Sequence, residues 1–361
     1  MTSRERVLTA LARRPTDRVP RLLYEEVIGY TPAVAQLLET HCAPHTPRDY
    51  FAMDVTRVLP NPTRLSRGRF APWLGPQADT ALANGQVDEW GVWRRPSGFC
   101  HFTRMESPLS AIRDPRQIRE YPWPDLDQPY RFQDVQAQVA ARQAQGVAVA
   151  GYAGSVFERA WYLRGMEALL VDLVTAPDLA HEFLERTAWF QRAVAEQFAR
   201  AGVDVVITGD DVAGQTGLLM SVAAWREFLK PRLAATVRAV KAANPRAFFF
   251  YHSDGNLEAI SPELIELGVD ILNPVQPECM DPAALKRRFG DRLSFWGTVS
   301  VQRTMPFGTP DDVRAEVQAR IRDVGRGGGL ILSPAHVLSP EVPWANVAAF
   351  FAAADGTPVP T

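Results

Sequence analysis

From Val147 onward, short apolar runs alternate with longer segments in which apolar residues recur at helical spacing. A nearly continuous apolar run is typical of a strand that is buried on both faces of a parallel sheet. Six such runs, each followed by a helical pattern, read in chain order GVAVAGY, VDVVITG, AFFFYH, VDILNP, LSFWG and GLILSP. This part of the chain is therefore predicted to form consecutive strand–helix units around a parallel sheet.

Two earlier segments, RVPRLLYEE and MDVTRVLP, bring the number of predicted strands to eight. Eight strand–helix units predict an α/β fold of the (β/α)8 TIM barrel type, formed as a single domain by residues 1–361. A doubly wound open sheet is the alternative. The regular spacing and the absence of a Gly-x-Gly-x-x-Gly turn disfavour it.

Residues 60–129 interrupt this rhythm with a segment rich in proline, glycine and tryptophan. Within it, VDEWGVWRRPSGFCHFTRM predicts a short antiparallel hairpin. We interpret the segment as an insertion after the second strand, and we expect it to lie over one mouth of the barrel.

Composition narrows the class of protein. Hydrophobic residues make up 46% of the chain, and the formal net charge of −2 gives no footprint for nucleic acid or an anionic membrane. The three cysteines are scattered, no apolar run reaches the roughly 18 residues of a membrane span, and no signal-peptide core follows Met1. A cytoplasmic protein is expected.

Polar residues follow the predicted strands at the positions where barrel enzymes carry their chemistry. They are Asp210, Asp211 and Gln215; His252 and Asp254; Asn273, Gln276, Glu278 and Cys279; Thr298, Ser300 and Gln302; and His336. Tyr24, from the first predicted strand segment, joins them as a candidate substrate contact.

Only His252 and His336, of the six histidines, follow predicted strands. Together with Asp254 they would present two imidazoles and a carboxylate to one point over the barrel axis. Such a ligand set suits Zn²⁺ with an open coordination position, or non-haem iron. The alternative is a hydrogen-bonded His–Asp pair that shapes the loop, since Asp254-Gly255 also has the composition of a turn.

The neighbouring carboxylates Asp210 and Asp211 also allow two interpretations. One of them has a raised pKa if both are buried together. Alternatively, one caps a helix or accepts hydrogen bonds from loop amides. Cys279 is either a thiolate ligand or a small apolar filler.

These residues lie within motifs that resemble the uroporphyrinogen decarboxylase superfamily, and within it the branch of cobalamin-dependent methyltransferases. The matching segments are RERVLTALARRPTDRVP, DEWGV, LRGMEALLVDL, GDDVAGQTGLLMS, FLKPRL, YHSDGN, LGVDILNPVQPECMDPAALKRRFGDRLSFWG and PWANV. The resemblance implies a barrel with its active site in a funnel at the C-terminal mouth. It also implies a zinc ion held by His-x-Cys and a later Cys, and a corrinoid on a separate carrier protein.

In this chain His252 matches the first zinc ligand, whereas Asp254 and His336 stand where that branch has its two cysteines. Losing both thiolates makes the site harder, which favours an oxygen-containing, methoxylated methyl donor over a thiol acceptor. The paired arginines of the decarboxylases' RQAGR motif are replaced by RVPRLLYEEVIGYTP, so uroporphyrinogen itself is not the expected substrate. Ser300 also stands where relatives commonly have Asp after FWG.

The leading hypothesis is therefore a zinc-assisted methyltransferase that acts between a small methylated substrate and a corrinoid. We assign catalytic roles to His252, His336 and Asp211, and metal binding to His252, Asp254 and His336, with Glu278 and Cys279 as possible additional ligands. Substrate contacts are assigned to Asp210, Gln215, Asn273, Gln276, Gln302 and Tyr24.

Two other hypotheses stay open at the level of sequence. One is a metal-free, decarboxylase-type lyase in which His336 and Asp210 or Asp211 handle protons. The other is a non-catalytic member that binds a corrinoid or its carrier. The chain has no Asp-x-His-x-x-Gly corrinoid motif of its own, so a carrier protein is an expected partner. A homodimer is possible, and neither nucleic acid nor a membrane is expected as a partner.

Overall fold

The structure, a computed structural model, describes residues 1–83, 85–96 and 103–357. The strands in these ranges are β1 (Val55–Val58), β2 (Trp93–Pro96), β3 (Thr103–Glu106), β4 (Ala148–Ser155), β5 (Val205–Gly209), β6 (Ala213–Gly214), β7 (Gly217–Leu218), β8 (Phe248–His252), β9 (Ile271–Asn273), β10 (Ser294–Val299) and β11 (Leu330–Pro334).

The α-helices in the same ranges are α1 (Ser3–Leu11), α2 (Glu25–Ile28), α3 (Pro32–Cys42), α4 (Pro47–Tyr50), α5 (Ala78–Ala83), α6 (Pro115–Glu120), α7 (Val135–Ala144), α8 (Phe157–Arg164), α9 (Met166–Thr175), α10 (Pro177–Ala201), α11 (Val222–Phe228), α12 (Lys230–Ala243), α13 (Ser261–Leu267), α14 (Pro282–Phe289), α15 (Thr304–Phe307), α16 (Pro310–Asp323) and α17 (Trp344–Gly356). Short 3-10 turns occur at Arg67–Trp73, Gly75–Gln77 and Pro129–Arg131.

A seven-stranded sheet of order β1-β4-β5-β8-β9-β10-β11 forms the centre of the fold, and every neighbouring pair in it is parallel. Strands such as β5 and β10 are buried at every residue, as their continuous apolar runs predict. The helices between the strands cover the sheet. The α/β class and seven of the predicted strands are thus confirmed.

The prediction of a strand at RVPRLLYEE is wrong. Among the described residues, seven strands form the sheet, and this segment is not one of them. This segment makes one bridge, between Arg21 and Leu332 of β11, and α2 begins at Glu25. Pro20 has no N–H to donate and limits pairing. The segment still contacts both edges of the sheet, because Leu22 N donates to Leu332 O at 3.1 Å and Asp54 N donates to Arg21 O at 3.0 Å.

The predicted hairpin within residues 60–129 is present as β2 and β3, paired antiparallel with Trp93 opposite Glu106. Its turn, residues 97–102, lies outside the described residues. The 60–129 segment packs on α8: Arg164 of this helix donates to the carbonyls of Leu109, Ser110 and Ile112. Its placement over the barrel mouth stays a prediction.

In the part of the chain that the structure describes, no helix combines the length and the apolar character that a membrane crossing needs.

Candidate active site

Three side chains from two strand ends converge at the carboxyl edge of the sheet. His252 is the last residue of β8, Asp254 follows two residues later, and His336 lies two residues beyond β11. One ligand atom from each lies within 4.8 Å of the others. The Asp254 carboxylate lies between the rings, 3.9 Å from Nε2 of His252 and 4.0 Å from Nε2 of His336. We call these three residues the His–Asp–His cluster.

Asn273, at the end of β9, fixes the orientation of His252. Its Oδ1 lies 2.5 Å from His252 Nδ1, and its Nδ2 donates to the carbonyl of Trp296 at 2.8 Å. Because this amide oxygen can only accept, we assign the ring proton to Nδ1. Nε2 is then left with a lone pair that faces the carboxylates, which is the tautomer a metal ligand needs.

Tyr24 supports the same ring from its other side. Its hydroxyl oxygen lies 3.2 Å from His252 Nδ1, and the two rings stack with centroids 5.7 Å apart. The Tyr24 ring also lies 6.0 Å from that of His336. Tyr24 and Asn273, both predicted as substrate contacts, are thus placed against the histidines, where they hold the cluster in position.

Asp254 is held by its backbone and leaves a carboxylate oxygen without a partner. Its N–H donates to Oδ1 of Asp211 at 2.9 Å, whereas its own Oδ1 is buried without a hydrogen bond from any described residue. A buried carboxylate oxygen without a donor is costly unless a cation satisfies it. Two imidazoles and this carboxylate fit a zinc-type site in both donor chemistry and arrangement.

Gly255 explains why the loop after Asp254 can take this path. Its φ is +87°, and a Cβ at this position would lie 2.4 Å from the carbonyl oxygen of Gly214. Only glycine tolerates both constraints. The Gly255 N–H donates to Oε1 of Gln276 at 2.8 Å, so Gln276, another predicted substrate contact, is placed where it anchors the loop.

The two histidines have different electrostatic environments. Burial lowers the pKa of His252, but the charges of Asp211 and Asp254 outweigh burial, so its pKa is raised overall. Burial dominates at His336 and lowers its pKa, against the opposing charge of Asp254. Two carboxylates beside two imidazoles give a site that favours a cation, whether a proton or a metal ion.

The adjacent carboxylates Asp210 and Asp211 face different partners. Oδ1 of Asp210 accepts hydrogen bonds from the amides of Val156 at 2.7 Å, Phe157 at 2.6 Å and Glu158 at 3.3 Å, at the start of α8. Burial raises the pKa of Asp210 to about 8, and the amide donors oppose this shift. Asp211 instead turns toward the cluster, with Oδ1 3.4 Å from His252 Nε2.

The remaining predicted residues lie further from the cluster. Gln215 and Gln302 are hydrogen-bonded to each other at 3.0 Å in an exposed position. Glu278 accepts a hydrogen bond from Ser300, and Cys279 Sγ lies 3.4 Å from Gln276 Oε1. Neither Glu278 nor Cys279 belongs to the group of potential ligands found among the described residues. Their role as additional ligands has no support from this geometry.

Two acidic residues near the cluster were missed at the level of sequence. The charge of Glu158, in the first turn of α8, acts on both His252 and His336. Glu25 is 1% exposed; its Oε1 accepts the Leu338 N–H at 2.6 Å, and its Oε2 has no partner among the described residues. Burial raises the pKa of Glu25 to about 7. Glu158 follows the predicted strand GVAVAGY, and Glu25 lies near the end of the predicted strand segment RVPRLLYEE; these positions were the available signal.

The fold is shared with a solved structure of a methyltransferase from Methanosarcina mazei. The two superpose with a TM-score of 0.68 over 98% of each chain, at 20% sequence identity. At this identity the likeness shows the fold alone.

Sequence comparison places the chain in a family. The model of the uroporphyrinogen decarboxylase (URO-D) family matches residues 104–357, and the protein belongs to this family. The uroporphyrinogen decarboxylase of Coxiella burnetii is 24% identical over 96% of this chain and 92% of its own length. A methylcobamide:CoM methyltransferase, MtaA, of Methanosarcina barkeri is 27% identical over 54% of this chain and 56% of its own length. This chain therefore aligns with about half of that relative, and the resemblance seen in the motifs is confirmed.

Proposed function

We propose that this protein transfers a methyl group between a small methylated compound, most simply a methoxylated one, and a corrinoid presented by a carrier protein. The observation that supports it most is the His–Asp–His cluster at the carboxyl edge of the sheet, with ligand atoms within 4.8 Å of one another. Similarity to a methylcobamide:CoM methyltransferase supports the reaction class.

In this proposal His252, Asp254 and His336 hold a zinc ion. The buried, unpartnered Oδ1 of Asp254 and the Nε2 lone pair of His252 suit that role. A zinc ion bound here supplies Lewis acidity toward a substrate heteroatom. With nitrogen and oxygen ligands in place of thiolates, the site favours an oxygen heteroatom over a thiol.

The protein's own residues fix the orientation of the His252 ring and place a carboxylate beside it. Asn273 and Tyr24 fix the His252 ring, and Asp211, 3.4 Å from Nε2, gives that nitrogen a proton acceptor whenever the ring is protonated. Gln215 and Gln302 lie in an exposed position where a substrate entering the funnel would meet polar groups. We also infer that the stretch around Arg21, hydrogen-bonded to both β11 and Asp54, closes the barrel between β11 and β1 without forming a regular eighth strand.

The test combines metal analysis with an activity assay on the full chain. Wild type is expected to carry about one zinc per chain and to transfer methyl from a methoxylated aromatic to reduced cobalamin, followed by absorbance. His252→Ala should lose both zinc and transfer. His181→Ala, which alters a half-exposed histidine on α10, should lose neither. Methyl transfer by metal-free protein contradicts the proposal.

A second function is favoured by one observation, the raised pKa of Asp210. A carboxyl group with a pKa of about 8 at the mouth of the fold is protonated at neutral pH, as a proton donor in decarboxylation would be. The uroporphyrinogen decarboxylase of Coxiella burnetii also matches nearly the whole chain. Release of carbon dioxide from a candidate acid, without metal or corrinoid, distinguishes this lyase from the methyltransferase.

A further inference from the structure

A cavity lies between the end of β4, helix α10 and the 60–129 segment. Its volume is about 290 Å3, near the small end of ligand pockets, which span roughly 300–1,000 Å3. Apolar side chains form much of its wall, among them Trp90, Leu126 and Phe190. Tyr152 lines it as well, and the charges of Asp211 and Asp210 act on the Tyr152 hydroxyl, so the cavity lies on the same side of the sheet as the His–Asp–His cluster.

Three arginines and one acidic residue line this cavity. Arg131 is paired with Glu89 at 3.1 Å and with Asp125 at 2.8 Å, so its charge is satisfied. Arg159 lies over the Trp90 ring, 4.7 Å from its centroid, and 3.9 Å from Asp88.

The third arginine, Arg57 of β1, makes no hydrogen bond or ion pair with any described residue. Its guanidinium packs against Gly29, where an added Cβ would lie 3.2 Å from Nη1. The charge of Arg57 acts on the Glu26 carboxylate, but that carboxylate accepts its hydrogen bonds from the Tyr30 hydroxyl at 2.8 Å and the Thr56 hydroxyl at 3.2 Å. A partly buried guanidinium whose N–H groups have no hydrogen-bond acceptor among the described residues is a binding group for an anion.

Ser155, at the end of β4, gives an independent indication. It is 4% exposed and lines the same cavity, yet its hydroxyl has no hydrogen-bond partner among the described residues. Buried hydroxyls are normally satisfied, so this one is available to a ligand.

We propose that this cavity binds a small apolar monocarboxylic acid. Its carboxylate pairs with Arg57 and accepts a hydrogen bond from Ser155, and its apolar body packs on Trp90, Leu126 and Phe190. Of the three arginines that line the cavity, Arg57 alone has no ion pair among the described residues, and its single positive charge favours a carboxylate over a phosphate dianion. The binding requires no methyl transfer and stands apart from the proposed function.

The experiment is calorimetric titration of the full-length protein with benzoate and with benzamide, which has the same shape without the charge. Benzoate should bind at least tenfold more tightly than benzamide. Arg57→Met should remove that preference, Arg57→Lys should weaken benzoate binding by about threefold, and Ser155→Ala by a similar factor. Arg287→Met, at an exposed arginine on α14, is the matched control and should bind as wild type.

Two further measurements keep the result unambiguous. Near-ultraviolet circular dichroism checks that each variant is folded. If Arg57→Met does not fold, the proposal is tested with Arg57→Lys and Ser155→Ala instead. Because a carboxylate can also ligate a metal, the titration is repeated after dialysis against a chelator. Retained binding assigns the acid to the cavity. Binding lost with the metal, equal affinity for benzoate and benzamide, or no benzoate binding overturns the proposal.

Discussion

The two edges of the central sheet use their acidic residues in opposite ways. At the amino edge, one aspartate directly precedes each of β1, β5 and β9, and each accepts a hydrogen bond from a neighbouring backbone N–H. Asp54 accepts from Arg21 at 2.9 Å, Asp204 from Val149 at 2.9 Å, and Asp270 from Phe249 at 2.7 Å. Each of the three also pairs with a cation.

At the carboxyl edge, two acidic residues each have a carboxylate oxygen that accepts no hydrogen bond from a described residue. They are Asp254 and Glu25, and both oxygens are buried. Asp254 faces two histidines, and no lysine or arginine of the described ranges pairs with it. Fully paired acids stabilise a barrel, whereas unsatisfied ones at its carboxyl edge are suited to binding. Both edges have buried acidic residues. Those paired with a lysine or arginine stabilise the fold, and those without such a partner are suited to binding.

The largest expected effect is at the amino edge. Asp54 is fully buried between Arg6 at 2.7 Å and Arg18 at 2.6 Å, so Asp54→Asn removes the ion-pair partner of Arg18 and the buried one of the two partners of Arg6, which keeps Asp17. We expect a loss of about 3–5 kcal/mol in the free energy of unfolding, measured by urea denaturation. Asp291→Asn, at an exposed position, should change it by less than about 0.5 kcal/mol. A loss for Asp54→Asn no larger than for Asp291→Asn would show that the paired acids of the amino edge do not stabilise the fold.

The matching substitution at the carboxyl edge is Asp254→Asn. It removes a proposed ligand but no ion pair with lysine or arginine, so zinc affinity should fall by at least about 100-fold, beyond what outer-shell changes cost. The free energy of unfolding without metal should stay within about 1 kcal/mol of wild type. Competition with a chromophoric chelator and urea denaturation measure the two quantities. Unchanged affinity together with lost stability would make Asp254 a structural residue like Asp54.

Glu25 sharpens the comparison through pH. Its pKa is raised by burial from 4.5 to about 7, so the folded state prefers the protonated acid. The associated stability is complete below pH 4.5 and is lost as pH rises through about 7. At about 1.4 kcal/mol per pKa unit it amounts to about 3.5 kcal/mol in full, of which about 3 kcal/mol is lost between pH 4.5 and pH 8. Glu25→Gln cannot ionise, so its stability relative to wild type should increase by that amount between pH 4.5 and pH 8. The free energies of unfolding are measured by urea denaturation. The same difference between Glu25→Gln and wild type at pH 4.5 and at pH 8 would contradict this prediction.

The smallest effect expected is at Asn273, which contacts a proposed ligand, His252, and is not itself a proposed ligand. Asn273→Ala removes the acceptor at His252 Nδ1 and the donor to the Trp296 carbonyl, so both ring tautomers become populated. Zinc affinity should fall by about tenfold, the lower end of outer-shell effects. Gln302→Ala, at the exposed Gln215–Gln302 pair, is the control and should leave affinity unchanged. Equal affinity in the two variants would show that Asn273 does not orient His252.

Much of the fold could be predicted from the sequence, because parallel strands buried on both faces leave continuous apolar runs. The failure at Arg18–Glu26 has a local cause, since Pro20 limits pairing and the acidic pair at Glu25 and Glu26 starts a helix instead. The convergence of His252, Asp254 and His336 could also be predicted, because the ends of parallel strands meet at one edge of the sheet.

What the sequence could not provide is the direction in which each polar side chain points. Asp210 and Asp211 are neighbours, yet one accepts from the amides of α8 and the other faces His252. Asn273 contacts a histidine because its amide nitrogen is committed to the carbonyl of Trp296, on another strand. Such choices depend on partners that are distant in sequence, which no local pattern encodes.

Gly255 has a consequence for anyone who would redesign this protein. The tight approach of this residue to the carbonyl of Gly214 and the hydrogen bond to Gln276 fix the loop by backbone geometry. The side chain at position 254 can therefore be replaced without changing the backbone conformation of the loop. If the proposed metal site is correct, cysteine, histidine or glutamate at position 254 should change which metal ion binds, provided that Gly255 stays.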